Sequence, residues 1–442
     1  ELTLKLGQDY LLDNAGAQAF IPKPAPLVFV GYGITAPEYD YNDYQTLEVE
    51  GKIVVFFEGE PRSNDMRYFD GEQATQHSLP RSKQTLALAR GAVGSIMIPT
   101  PRTSSNRPWP ERQREFAFED ISLYYSITRN LSVILNPESA ACLFEDAAYS
   151  LDELFKMDAT NTLCSFSLPA RASFRGYFQQ RDFLAANVVG KLQGRDPQRK
   201  DSCVLISAHY DHLGIGPAMQ GDSIYNGVFD NAAGVAAVLE IARAFAALPQ
   251  PPARSLVFLF LTGEEKGMLG STYYTDHPLV PLYQTAANVN VDGLAMFDTF
   301  EDVVGVGAEL STLGEVLEEI VRELHLKTSP IPAPFSNSTA FALSDQFAFA
   351  NAGIPAILLM EGYHYRNTSL QEGLQRIITW GRDIYHTPFD DLKQPINYRA
   401  AQQHCQILFA FCYALADMKD APQWRDGTPF VNTRLRTIAE KR

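Results

Sequence analysis

The stretch that most constrains this chain is residues 255–265, SLVFLFLTGEE. An apolar run of this length, without alternation, reads as a strand buried on both faces. It stops at Thr262-Gly263, and Glu264 and Glu265 follow directly. Open α/β sheets gather their ligands at the carboxyl ends of strands. Two neighbouring carboxylates placed there repel each other unless something positive holds them. A metal ion would satisfy both, so the reading turns on whether other strand ends supply further ligands.

They do. From about residue 185 the pattern alternates strand and helix. The strands are CVLISAHY, SLVFLFLT, AANVNVDG, EDVVGVG and IPAILLM; the helices between them include NAAGVAAVLEIARAFAAL and LGEVLEEIVRELH, and a long closing helix runs to about residue 418. Such alternation implies a mixed, mostly parallel central sheet with helices on both faces, an α/β fold. The first half has a different texture: β-like runs LVFVGYGI, KIVVFFEGEP, GSIMIP and NLSVILNP, with a polar, Arg- and Pro-rich excursion over 100–130. The predicted division is a leading segment 1–26 belonging to the second domain, a β-rich insertion 27–172, and the main α/β domain 173–442.

Within the second half, chemistry collects where strands end. His209-Tyr210-Asp211-His212 closes one strand, Glu264-Glu265 the next, and Asp292 the next; Asp230 precedes a helix and His386 lies in the loop YHTPFDD. Taken singly each has an ordinary reading: Asp230 as a helix N-cap, a lone histidine as a satisfied structural group, His212 as structural or orienting. Together they make a mixed imidazole and carboxylate set of the kind zinc accepts, and one rich enough in oxygen for two metals sharing a ligand.

The charge pattern removes other classes. A net charge of −15 and a pI near 5.0 are unsuited to a general nucleic-acid surface. No apolar run reaches the roughly 20 residues of a membrane span. Ser344 lacks His and Asp partners in sequence context for a serine nucleophile. Five cysteines form no dense framework, and Cys405 and Cys412, about 10 Å apart by helical rise, cannot bridge. Asn130, Asn337 and Asn367 begin N-x-S/T triplets. The chain starts at Glu1 rather than Met, which implies a leader removed or left out.

The order HYDH, DNAAG, GEE, NVDG and YHTPFD resembles the dizinc aminopeptidase family that includes bacterial leucyl aminopeptidases and glutamate carboxypeptidase II, over roughly residues 185–418. The resemblance implies a zinc-exopeptidase fold with two zinc ions per chain, a peptide substrate and a periplasmic or extracellular location. It pairs His209 with Glu265 on one zinc and Asp292 with His386 on the other, with Asp230 bridging. It makes Glu264 the general base and Asp211 the residue that orients His209, and it implies a cis bond at Asp230–Asn231. VGYGITAP and GKIVVFFEGEP resemble the protease-associated (PA) domain that such peptidases carry as an insertion. The family's oxyanion tyrosine, just before a Ser-Asp-His triplet, is replaced here: the chain reads Phe341-Ala342-Leu343-Ser344-Asp345-Gln346. Tyr363, Tyr365 and Tyr385 are the candidate substitutes. Alternatives on the same fold are a carboxypeptidase, with Arg366, Arg376 or Arg382 for the substrate carboxylate, a single-zinc glutaminyl cyclase, and a metal-free binding module.

Overall fold

The computed structural model describes residues 1–13, 20–65, 67–69, 71, 75–126, 130–332 and 340–441; the Asn337 triplet lies outside them. The chain forms two compact units, one from Glu1 to Asp182 and one from Phe183 on.

In the first unit the strands run in the order Tyr10–Leu12, Leu131–Leu135, Gly94–Ile98, Ile53–Phe57, Ile21–Val30, Ser165–Phe174. The inner four are parallel and the two edge strands antiparallel. Ile53–Phe57 and Gly94–Ile98 are buried along their whole length, which is why they read as unbroken apolar runs. Alternate residues feed two cores: Phe29, Val55 and Phe57 pack with Leu151 and Leu154, while Val28, Val54 and Phe56 pack with Ala87. Helices Leu151–Ala159 and Pro80–Ala89 therefore cover opposite faces. The expected β-rich insertion is itself a layered α/β sheet, because its central strands are parallel and parallel strands need cover on both sides. The leading segment differs from expectation too. Tyr10–Leu12 pairs with Leu131–Leu135, which binds it to the first unit rather than the second. The polar 100–130 stretch is not all surface: it forms helices Pro101–Asn106 and Trp109–Phe116, and Arg112 is buried in a two-point bond to Glu58 (3.2 and 2.7 Å).

The second unit carries a seven-stranded sheet in the order Lys327–Thr328, Asp302–Val306, Ala356–Glu361, Thr285–Asn290, Cys203–His209, Ser255–Leu261, Val188–Leu192. Four of its pairings are parallel and two antiparallel, the mixed, mostly parallel arrangement expected. Val204, Ile206 and Ala208 face helices Ala233–Ala246, Leu313–Glu323 and Tyr398–Asp417; Cys203 and Leu205 face Tyr274, Phe349, Trp424 and Phe430. Each large apolar side chain so buried contributes roughly 2–3 kcal/mol. The hairpin Gly214–Met219/Asp222–Tyr225, the edge strand Lys327–Thr328 and helix Leu370–Asp383 were not read from the sequence. All five cysteines are free. No helix among the described residues is long and apolar enough to cross a membrane.

Candidate metal centre

The parallel strands of the second unit deliver their terminal side chains to one place. Cys203–His209 lies between Ser255–Leu261 and Thr285–Asn290, so His209, the Glu264-Glu265 turn and Asp292 emerge side by side. Gly263, at φ +72°, makes the turn that ends the Ser255 strand; a Cβ there would meet Leu269. Asp230 arrives from the other side, ahead of helix Ala233–Ala246. It is not the N-cap. Asn231 Oδ1 instead accepts from Gly234 N (3.1 Å) and Gly293 N (2.9 Å), while its amide donates to Val291 O (2.9 Å). The Asp390 carboxylate accepts from the backbone N–H of Phe229 and Asp230, which ties the Asp230 turn to the loop that carries His386. The Asp230–Asn231 peptide bond is cis.

The resulting cluster has two lobes that share Asp230. In one, His209 Nε2 stands 3.2 Å from Asp230 Oδ1 and 3.1 Å from Asp292 Oδ1. In the other, Glu265 Oε1 is 2.6 Å from His212 Nδ1, Glu265 Oε2 is 3.1 Å from His386 Nε2, and His386 Nε2 is 3.2 Å from Asp230 Oδ2. One donor atom each from His209, Asp230 and Asp292, and one each from His212, Asp230 and Glu265, lie within 4.8 Å of one another.

All five expected ligands are together, with Asp230 central, but the partners differ from the expected pairing. His209 goes with Asp292 and Glu265 with His386, because His209 and Asp292 end adjacent strands and meet directly. His212, read as structural or orienting, lies against Glu265. Its signal in the sequence was a second histidine three residues after the first. The orientation of His209 also differs: its Nδ1 is 3.1 Å from the backbone carbonyl of Asp211, and the Asp211 carboxylate stands at 3.7 Å. That carboxylate accepts from Glu264 N instead (3.2 Å).

The charges explain why this arrangement asks for a cation. Burial lowers the pKa of His209, but the neighbouring Asp292 and Asp230 override it and hold the imidazole well above its usual range. Burial opposes and the Asp230 and Glu265 contacts win at His386, raised to about 9; at Glu265 burial is outweighed by His212 and His386, and the carboxyl falls to about 2. Protons on imidazoles thus stand where a metal's charge would. The hydrogen-bond geometry is poor for the short distances: both nitrogens of His212, Glu265 Oε1 and His386 Nε2 are buried without an aligned partner. Lone pairs converging on a point rather than on one another are what a divalent metal needs, and imidazole with carboxylate suits zinc. His386 also takes a positive φ of 55°, an uncommon conformation for a non-glycine residue.

Glu264 has no such cationic partner. Burial raises its pKa well above normal, and the nearby Asp292 and Asp345 raise it further. Of the three tyrosines, Tyr385 stacks on His386 (ring centroids 3.8 Å apart), in the field of Asp230, Asp292, Glu265 and Glu264. Tyr365 is core, packed edge-on against Phe297; Tyr363 lies against His364, whose Nδ1 is 2.7 Å from Asp302. Phe341 is buried against Phe347 and Phe430 and offers no donor.

Part of the chain is similar to known proteins. The chain is 28% identical over 210 residues to a vacuolar membrane protease of Vanderwaltozyma polyspora, covering 48% of this chain and 19% of that protein. It is 24% identical over 244 residues to Aminopeptidase YwaD of Bacillus subtilis, covering 54% and 46%. The chain thus spans less than half the length of either. Among solved structures, an aminopeptidase from Aneurinibacillus sp. strain AM-1 aligns with a TM-score of 0.45 at 17% identity, over 91% of this chain and 77% of that one. Residues 187–412, just over half of the chain and including every residue of the two-lobed cluster, match the model of Peptidase family M28, and the chain belongs to that family.

Proposed function

We propose that the chain is a zinc-dependent exopeptidase that removes N-terminal residues from peptides. The observation that carries this reading is the two-lobed cluster with Asp230 facing both lobes. His209 and Asp292 would hold one zinc, Glu265 and His386 the other, and Asp230 would bridge them; His212 braces Glu265. Bound zinc supplies Lewis-acid polarisation and acidifies water in such sites. Glu264 takes a proton from the attacking water and returns it to the leaving amine. Its raised pKa suits that exchange, since a carboxyl that releases its proton readily could not act as the acid. The Asp211 carboxylate fixes the Glu264 backbone, and the Asp211 carbonyl fixes His209. Tyr385 stays protonated among carboxylates and is the donor for the developing oxyanion.

The N-terminal preference is supported by the aminopeptidase named among the relatives. Arg382, one candidate for a carboxypeptidase site, is already bound at two points by Asp383 (2.6 and 2.7 Å). The first unit is assigned as the PA-like domain, on the sequence resemblance. A location outside the cytosol is supported by the vacuolar and endoplasmic reticulum names among the relatives.

The test is a metal assay with a substrate screen. Purified protein should carry close to two zinc ions and cleave free-amine peptides but not N-acetylated ones. Protein that binds no metal and gains no activity with zinc overturns the enzyme reading. Cleavage of the blocked peptides overturns the N-terminal preference.

A further inference from the structure

The second unit has an open cleft of about 1020 Å³ that none of the cluster's residues lines. Helix Leu370–Asp383 forms one side, and residues 394–399, which lead into helix Tyr398–Asp417, form another. The inner wall is apolar. Met296 is buried, and Phe297, Trp380, Ile384 and Ile396 are half-buried. Behind Phe297 and Trp380 stands the buried ring of Phe229, with centroids 5.8 and 5.4 Å away. Phe229 directly precedes Asp230, so the cleft backs onto the cluster through a layer of aromatic rings. Trp380 Nε1 is buried without an acceptor, which leaves the indole seated in that wall by packing against Phe229 and Tyr385.

The polar groups of the lining fall into two kinds. The first kind is already engaged within the chain. Gln375 Nε2 donates to Thr379 Oγ1 (3.2 Å) and Gln394 Nε2 to Phe389 O (3.0 Å), while Asn397 Oδ1 accepts from Arg399 N (3.1 Å) and Ala400 N (3.3 Å). Asp383, the acid of the lining, takes two bonds from Arg382 (2.6 and 2.7 Å). The second kind is cationic. Arg376 and Arg399 are exposed and form no ion pair or side-chain hydrogen bond among the described residues. Glu372, one turn before Arg376, is turned to Ser369 N and Oγ (3.2 and 2.8 Å). Free guanidinium groups beside an apolar wall disfavour an organic cation and gain nothing from a neutral hydrocarbon. Their planar forks match a carboxylate, and the wall suits a hydrocarbon body.

We propose that this cleft is a second binding site, for a small organic acid whose carboxylate meets Arg376 and Arg399 and whose apolar body lies on Phe297, Trp380 and Ile396. No residue of the cluster takes part, so the site does not depend on bound zinc or on the exopeptidase reading. Arg376 then recognises a carboxylate away from the cluster, not the terminal carboxylate of a substrate held at it.

The test is calorimetric titration of the full, zinc-loaded chain with phenylbutyrate, phenylbutyramide and acetate. Phenylbutyrate should bind at one saturable site. The amide keeps the body without the charge, and acetate keeps the charge without the body; each should bind about 10-fold more weakly or worse. Arg376→Gln and Arg399→Gln should each weaken phenylbutyrate by about 10-fold and leave the amide unchanged. Both side chains are exposed, and an unaltered thermal transition verifies that the variants fold. Absence of saturable binding, equal affinity for the acid and its amide, or undiminished affinity in both variants overturns the proposal. Carboxylates also bind zinc, so the titration is repeated on chelator-treated protein. Phenylbutyrate binding that persists there supports the cleft; binding that vanishes with the metal belongs to the cluster and overturns the proposal.

Discussion

At the carboxyl ends of the first unit's parallel strands, Lys83 is buried and donates to the carbonyls of Phe57 (3.0 Å) and Gly59. Asp43 accepts from Tyr32 N, Ile34 N and the Tyr41 hydroxyl, Glu60 from Thr75, and Glu58 takes both arms of Arg112. At the carboxyl ends of the second unit's strands, charges are just as deep, but His212, Glu265 and His386 point buried atoms at each other without aligned hydrogen bonds. The same topological position thus holds a polar network closed but for Arg102 Nε in one unit, and several unmatched atoms that converge in the other. Burial of charge alone does not mark a site; buried donor atoms that converge and stay unmatched do.

The largest expected effect lies at Glu264, a half-buried carboxyl beside Asp292 and Asp345. Glu264→Gln should keep both zinc ions and lose about 10²–10⁴-fold in kcat, measured by metal analysis and steady-state kinetics. Undiminished turnover would break the comparison, since the open cluster would then not depend on the carboxyl beside it. Next is Tyr385→Phe, which keeps the stacked ring and removes the hydroxyl. A loss of about 10²-fold in kcat with little change in KM is expected if it faces the oxyanion; an unchanged kcat assigns Tyr385 to packing alone.

How far this contrast was legible in the sequence differs by feature. SLVFLFLTGEE and NVNVD could be read directly, because a doubly buried strand must be continuously apolar and a strand with one polar face must alternate. His209, Glu265 and Asp292 could be named as candidate ligands from the ends of those strands. How the candidates meet could not be read, since it depends on which strands are neighbours and how side chains lean across them. Asn231 and Asp390 carry no signal of their own in the sequence; only the folded chain shows them fixing the turn around Asp230. The first unit's parallel order was hidden because IVVFF and GSIMI look alike in any buried sheet.

The two units should also respond oppositely to pH. Burial lowers Lys83 from 10.5 to about 8. Between those values the unfolded chain binds more protons, so stability rises with pH across that window, by about 3 kcal/mol in all. Below it this contribution is absent. His386 is shifted the other way, from 6.5 to about 9. Its contribution to the metal-free protein is full below 6.5 and is lost as pH rises through 9. Urea unfolding of the metal-free protein against pH, with Lys83→Met and His386→Ala as references, separates the two slopes. Zinc should abolish the His386 slope and leave that of Lys83, because the metal replaces the proton on one side only. A Lys83 slope that vanishes with zinc would break the division into a closed and an open network.

The smallest effect compares two helices built alike. Ser150 and Ser369 each accept from the backbone N–H three residues on, while Glu153 and Glu372 reach back to the serine N–H. Both are S-x-x-E capping boxes visible in the sequence. Helix Leu370–Asp383 fully buries a single residue, Gly373, while Leu374, Ile377, Ile378 and Trp380 are half-buried along one side. Ser150→Ala and Ser369→Ala should each cost about 1 kcal/mol, a lowering of roughly 2–4 °C in the transition of its own unit, read by calorimetry. The difference should appear in function. Ser150→Ala lies in the unit whose charges are already matched and should leave peptide turnover unchanged. Ser369→Ala loosens the helix that leads to Tyr385 and His386, so any change in KM between the pair belongs to it. Equal kinetics in the two variants would mean that the cap steadies its helix without steadying the cluster that follows it.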